Sequence, residues 1–89
     1  MSKYFLLDTR LSGTYIYIIT ESSETGVKID RITHCYNEDF ENLITILIKD
    51  KEVYKVKVLA SSVNEYVISK LKNLSNIEIE VIESIWNTY

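Results

Sequence analysis

Two short apolar runs near the amino terminus constrain the fold of this chain more than any other feature. They cover residues 4–7 and 15–19, and a polar connection that contains Gly13 separates them. Both runs are rich in aromatic and β-branched residues and are too short for helices, which is typical of strands. Since glycine readily takes a positive φ in a turn, the segment predicts a β-hairpin with strands at 3–8 and 15–20. Asp8 then lies at the mouth of this hairpin.

A third strand and a helix are predicted next. In the strand, at 27–33, Lys28 and Asp30 alternate with apolar residues, as at the edge of a sheet. Asn37 is the predicted N-cap of the helix, whose first turn is acidic, as the helix dipole favours. The helix carries an apolar stripe at helical spacing, formed by Phe40, Leu43, Ile44, Leu47 and Ile48.

Two further strands and a second helix complete the pattern. In the strand predicted at 53–59, valines alternate with lysines, so one face is expected to be buried. The second helix is predicted to begin at Ser61 or Ser62, because Ser62 and Glu65 match a capping box. The last strand, at 77–82, alternates isoleucine or valine with glutamate. The chain is therefore expected to form a single domain over residues 1–89.

The order β-β-β-α-β-α-β has few compact solutions. Right-handed crossovers lead to a mixed five-stranded α/β sheet of spatial order 3-2-1-4-5. Both crossovers run in the same direction, so both helices are expected on one face. The other face should carry Lys55, Lys57, Glu78 and Glu80, together with either Tyr15, Tyr17 and Ile19 or Ile16 and Ile18 from the hairpin.

An open face with so many aromatic rings would form a larger apolar patch than a monomer usually exposes to solvent. The hypothesis is that a second subunit, another protein or the chain's own tail covers it. The predicted interface residues are Tyr4, Tyr15, Ile16, Tyr17, Ile18, Trp86 and Tyr89.

Composition and charge limit the classes of function. Hydrophobic residues make up 46% of the 89 residues and charged residues 26%, as in a globular protein. No apolar run approaches the roughly 20 residues that cross a bilayer, and the amino terminus has no signal-peptide pattern, so a cytoplasmic location is expected. The net charge of −3, with scattered basic residues, indicates that nucleic acid is an unlikely partner.

The only cysteine rules out an internal disulfide. It is Cys35, and its side chain and that of the adjacent His34 should point to opposite faces of a strand, so they make a poor metal or catalytic pair. Two glycines cannot build a phosphate-binding loop. We therefore predict no cofactor and no metal site from these residues.

The segment LLDTRLSGTYIYII, residues 6–19, resembles the opening hairpin of the ribonuclease H-like superfamily. It looks most like RuvC-type Holliday junction resolvases and their YqgF-type relatives. The resemblance implies a nuclease in which three or four carboxylates hold two metal ions, with Asp8 as the first acid. The fourth strand ends without an acid, and helix capping already explains Glu38, Asp39 and Glu41. Asp8 itself has an alternative role as an acceptor of turn hydrogen bonds from nearby backbone N–H groups, such as those of Arg10 or Leu11.

Three hypotheses of function follow from the sequence. The first is a small non-catalytic interaction or regulatory module that works through its open sheet face or an edge strand. Its residue usage, rich in Ile, Lys, Asn and Tyr, would suit an accessory protein of a phage or mobile element, including an inhibitor of host defence. The alternative is a degenerate or partner-completed RuvC-like metal-dependent nuclease that uses Asp8. The second alternative is an antitoxin of the HicB type, against which the second helix and fifth strand argue.

Overall fold

The computed structural model describes residues 2–59 and 65–82. In that part of the chain, five strands and two helices follow the predicted order. The strands are β1 (Ser2–Thr9), β2 (Gly13–Ser22), β3 (Gly26–Tyr36), β4 (Lys55–Leu59) and β5 (Glu78–Ile82), and the helices are α1 (Asn37–Lys51) and α2 (Glu65–Lys72). The predicted start of the second helix at Ser61 or Ser62 lies outside the described residues.

The strands form one mixed sheet of order β3-β2-β1-β4-β5, as predicted. β2 is antiparallel to β1 and β3, whereas β1, β4 and β5 are parallel to one another. Both helices pack on one face and contact each other, with Lys70 of α2 3.9 Å from Glu41 of α1. We call the opposite face, which the two helices leave uncovered, the open face.

The core lies between the sheet and the helices. Alternate residues of the central strands point into it, among them Phe5, Leu7, Ile16, Val56 and Val58, none of which is exposed to solvent. The apolar stripe of α1 packs onto these side chains as predicted, with Phe40, Ile44, Leu47 and Ile48 buried. Because strand side chains alternate between faces, this core fixes which residues of each strand reach the open face.

The amino terminus of α1 differs in detail from its prediction. Asn37 is the first helical residue rather than the N-cap, which is Tyr36 in extended conformation and without a side-chain capping bond. The Asn37 side chain instead donates a 2.9 Å hydrogen bond to the carbonyl oxygen of Leu11, and its backbone amide donates to Ser12. Asn37 therefore ties the β1–β2 connection to the start of the helix.

β2 and β3 are longer than their apolar runs predicted, because their ladder continues through polar positions from Gly13↔Tyr36 to Ser22↔Gly26. A bulge interrupts it: Tyr17 pairs with Arg31, but the neighbouring Ile16 pairs with Thr33. The extra residue on β3 reverses the alternation of side chains beyond it.

No helix in the described part of the chain is long and apolar enough to cross a membrane.

Candidate functional site

The carboxyl end of β1 places Asp8 on the open face. Phe5 and Leu7 point into the core, so Asp8, one residue further on, points the other way. Leu7 pairs with Val58 in the parallel strand β4, so β1 and β4 end side by side. In sheets with parallel strands, ligands commonly bind at this edge. Asp8 therefore lies where the fold favours a binding site.

The carboxylate of Asp8 is held by the guanidinium of Arg10. Nε of Arg10 lies 3.2 Å from Oδ1 and Nη2 lies 2.9 Å from Oδ2, so both oxygens accept a hydrogen bond. The Asp8 side chain is only 18% exposed, whereas Arg10 reaches it from solvent. This hydrogen bond and the negative charge of Asp8 raise the pKa of Arg10. Asp8 thus pairs with an arginine side chain, in place of the turn hydrogen bonds that were the alternative prediction.

Three rings continue from Asp8 across β2 to the edge of the sheet. Tyr15 is the β2 partner of Asp8, and His34 is the β3 partner of Tyr15. The ring centroids of Tyr15 and His34 are 4.6 Å apart, and those of His34 and Tyr36 are 5.5 Å apart. Arg10 lies over the Tyr15 ring, with its Cζ 5.8 Å from the centroid. We call Tyr15, His34 and Tyr36 the aromatic row.

The aromatic row depends on the glycine opposite Tyr36. A Cβ on Gly13 would lie 2.6 Å from the carbonyl oxygen of Cys35 and 2.8 Å from Nε2 of His34. These distances are shorter than real carbon contacts, so the His34 imidazole lies where only a glycine leaves room. Gly13 is needed here for space rather than for the positive φ that the turn pattern predicted.

Elsewhere on the open face, several polar side chains form pairs. The Tyr4 hydroxyl donates a 2.9 Å hydrogen bond to Glu21, and Nζ of Lys57 lies 4.3 Å from the centre of the Tyr4 ring. Burial and the neighbouring Glu21 raise the pKa of Tyr4 to about 12. The predicted charged residues of β4 and β5 are also on this face and pair across the strands, Lys55 with Glu78 at 3.4 Å and Lys57 with Glu80 at 3.6 Å.

The structure separates the residues predicted for a protein interface. Tyr4, Tyr15 and Tyr17 lie on the open face and are each half-buried. Ile16 lies in the core, and Ile18 packs against it beneath the helices. The prediction is corrected for these two residues, because their strand positions alternate with those of the tyrosines. Trp86 and Tyr89 lie outside the described residues.

The carboxylates of the described residues do not assemble a two-metal centre. Residues 2–59 and 65–82 contain no group of three or more His, Cys, Asp or Glu side chains that could hold a metal ion. Asp39 lies near the buried thiol of Cys35, whose pKa is raised by burial and then by this charge. Cys35 and His34 point to opposite faces, as predicted, with Cys35 in the core and His34 on the open face, so Asp39 and Asp8 lie on opposite sides of the sheet. These residues supply one carboxylate, Asp8, and do not fit two metal ions by themselves.

Arg10, Gly13 and Tyr36 were missed as site residues by sequence reasoning. Arg10 follows Asp8 by two positions, so a possible ion pair at the hairpin mouth was a usable signal. His34 was considered only as a partner of Cys35. No signal in the sequence marks the bulge that brings His34 and Tyr36 to the open face.

Comparison with solved structures shows what the fold is similar to. Thermus thermophilus RuvC superposes with a TM-score of 0.69 at 4% identity, over 91% of this chain and 63% of that chain. RuvC bound to a Holliday junction substrate gives the same TM-score, over 93% of this chain and 66% of that chain. The fowlpox virus Holliday junction resolvase superposes with a TM-score of 0.60 at 15% identity, over 98% of this chain and 65% of that chain.

An exopolyphosphatase from Cytophaga hutchinsonii also matches, with a TM-score of 0.53 at 12% identity, over 92% of this chain but only 34% of that chain. This chain spans a little under two thirds of the length of the resolvase chains. Neither a protein-family model nor a curated protein sequence matches it.

These comparisons correct two predictions. Resolvases, two of them solved with Holliday junction DNA, match over nearly the whole chain, which contradicts the non-catalytic interaction module and favours the nuclease alternative. The same match contradicts the prediction that nucleic acid is an unlikely partner. That prediction used the net charge of the whole chain, which averages over both faces and does not describe the surface around Asp8. The five-stranded mixed sheet of order 3-2-1-4-5 with its two helices is a ribonuclease H-like fold.

Proposed function

We propose that this chain binds branched DNA and contributes Asp8 to a metal-dependent nuclease site of the resolvase type. The remaining carboxylates of that site come from a second chain, since residues 2–59 and 65–82 contain no group of three or more side chains that could hold a metal ion. The observation that carries the proposal is the position of Asp8. It lies on the helix-free face at the carboxyl end of β1, beside the end of β4, in a fold shared with two Holliday junction resolvases.

The charges around Asp8 support binding of an anionic backbone there. Arg10 neutralises the Asp8 carboxylate from the solvent side, and Arg31, the β3 partner of Tyr17, is exposed on the same face. Guanidinium groups bind phosphate oxygens in two-point geometry. A phosphate can therefore approach Asp8 through these arginines.

Asp8 and Arg10 have separate tasks in this proposal. The Asp8 side chain is mostly buried and held on both oxygens, so its carboxylate is positioned before DNA binds, as catalytic groups must be. Arg10 is exposed, and its guanidinium group is at the end of a longer side chain, so this group can turn towards a phosphate. This division places the acid at the floor of the site and the cation at its entrance.

The test uses a four-way DNA junction and a duplex of the same sequence, each with Mg²⁺ or Mn²⁺. The protein is purified from its native host so that any bound partner is retained. We expect tighter binding to the junction than to the duplex, and cleavage that Asp8→Asn abolishes. Asp30→Asn is the matched control, because Asp30 is an exposed acid of the edge strand β3 and pairs with Ile18, which packs against the core on the helix side of the sheet. This variant should cleave normally.

Two outcomes would contradict the proposal. Equal affinity for junction and duplex would exclude recognition of branched DNA. Junction binding without cleavage, or equal cleavage by the Asp8→Asn and wild-type proteins, would exclude the nuclease site at Asp8.

A further inference from the structure

The aromatic row presents ring surface to solvent in an arrangement that a core would not need. Tyr36, at the end of the row, is 58% exposed, and His34 beside it is also exposed. The three rings run from the Asp8 partner position to the edge strand β3. Rings that pack only for stability are usually buried on at least one face by apolar neighbours. This row instead extends a stacking surface away from the acid.

The rings are held in position without a ligand. His34 sits against the backbone at Gly13, in space that a side chain there would fill. The Gly13 carbonyl accepts a 2.7 Å hydrogen bond from the Arg10 amide, which closes the β1–β2 turn. Tyr36 immediately precedes α1 and makes no capping bond with its side chain. A preorganised surface loses little conformational entropy on binding, so these rings are ready to stack on a flat ligand.

The β1–β2 turn adds an apolar side chain next to this surface. Leu11 is 98% exposed, and a single exposed leucine is ordinary by itself. Its backbone, however, is fixed: Nδ2 of Asn37 donates to the Leu11 carbonyl oxygen at 2.9 Å, and the Asn37 amide donates to the Ser12 carbonyl oxygen at 3.1 Å. The leucine therefore projects from a tethered turn, directly after Arg10. Apolar side chains in such positions can insert between bases and unstack them.

We infer that the aromatic row, Arg10 and Leu11 form a cradle for an unpaired nucleotide of a DNA branch. The inference rests on the proposed function and names the part of the DNA that this face recognises. The exposed Tyr36 and His34 rings stack on the base, Arg10 contacts the adjacent phosphate, and Leu11 separates the base from its neighbour.

The chemistry selects single-stranded over duplex DNA. Base–aromatic stacking needs a base whose face is free, and in a duplex both faces are covered by neighbouring base pairs. Arg10 lies 5.8 Å from the centre of the Tyr15 ring, so the phosphate contact and the stacking surface are close enough to serve one nucleotide. The nucleotide would then lie beside Asp8, which shares Arg10 with the cradle.

The experiment measures binding of a fluorescein-labelled oligothymidine by fluorescence anisotropy. Tyr36→Ala should weaken this binding about tenfold or more, the usual effect of losing one stacking ring, and Tyr36→Phe should keep it. Tyr54→Ala is the matched control, because Tyr54 is 52% exposed but lies at the amino end of β4, whereas Asp8 lies at the carboxyl end of the parallel strand β1. Circular dichroism of each variant checks that the fold is intact. Leu11→Ser should lower the preference for the junction over the duplex.

The outcomes separate this inference from the proposed nuclease. If Tyr36→Ala and Tyr54→Ala bind oligothymidine equally well, or the wild type does not bind it, the cradle is wrong even where Asp8-dependent cleavage is found. If Tyr36→Ala loses binding but no preparation cleaves DNA, the cradle stands and the nuclease is wrong.

Discussion

Arg10 holds both carboxylate oxygens of Asp8, with Nε 3.2 Å from one oxygen and Nη2 2.9 Å from the other. The two residues stand on either side of the buried Thr9 at the end of β1, so the hairpin turn itself brings them together. Any cation that binds Asp8 must displace this guanidinium. A phosphate that approaches Arg10 competes with Asp8 for the guanidinium group. The ion pair therefore couples the acid to the arrival of an anionic ligand.

Replacing Arg10 by alanine should make DNA binding less sensitive to salt. Each phosphate contact releases counterions, so the slope of log affinity against log salt should fall by about one unit when a single contact is lost. Anisotropy titrations of the four-way junction at several salt concentrations give the slope. Lys49→Ala is the control, because Lys49 is exposed on α1, across the sheet from the open face. An unchanged slope in Arg10→Ala would show that Arg10 makes no phosphate contact.

Gly13 and Gly26 should respond differently to substitution. Gly13→Ala puts a methyl group against the Cys35 carbonyl oxygen and the His34 ring, an overpacking that costs about 1–3 kcal/mol. Gly26 has φ +78° and open space around it, so alanine there is destabilising through backbone strain, by about 1 kcal/mol. Asparagine tolerates this φ, so Gly26→Asn should recover stability and Gly13→Asn should not. Urea denaturation measures all four variants, and rescue by Gly13→Asn would contradict the steric explanation.

Two isoleucines of α1 offer a matched test of the core. Ile44 is fully buried beneath the sheet and Ile46 is 62% exposed. Ile44→Ala should lower the free energy of unfolding by about 2–5 kcal/mol, from lost burial and the cavity left behind. Ile46→Ala should change it by no more than about 0.5 kcal/mol. Denaturant titrations of the two variants give both values, and similar losses would mean that α1 packs on a different face.

Because the pKa of Tyr4 is raised, the stability of the folded protein depends on pH in the alkaline range. Burial, and then the hydrogen bond to Glu21, raise this pKa from 10.0 to about 12, so the folded state favours the neutral phenol. This contribution to stability is fully present below pH 10, the ordinary pKa, and is lost as the pH rises to about 12. Tyr4→Phe should remove this part of the pH dependence, measured as the unfolding free energy against pH. Tyr54→Phe controls for the loss of a hydroxyl, and an equal effect there would exclude Tyr4 as the cause.

Local patterns carried most of the fold prediction. Apolar alternation in the hairpin and helical spacing in α1 depend only on near neighbours in the chain, and crossover handedness limits how such elements assemble. The strand ends were less predictable, since Gly13 and Gly26 each pair with a residue of the neighbouring strand because the strands are already aligned, although glycine disfavours strands. Asp8 was identified from its place at the end of a strand. The arginine that binds it and the neighbouring rings of His34 and Tyr36 were not.

The sequence by itself determined the order of the elements, the strand order of the sheet and the side on which the helices lie, because periodicity and chain handedness act locally. Only the tertiary structure decided what surrounds Asp8. The bulge opposite Ile16 and Tyr17 reverses the alternation of β3, and this moves His34 and Tyr36 to the open face and Cys35 into the core. Val27 and Ile29 lie on the open face. If the alternation continued from them without a bulge, Cys35 would lie on the open face and His34 and Tyr36 on the helix side. A one-residue change of register depends on pairing between strands, so no local pattern in the chain reveals it.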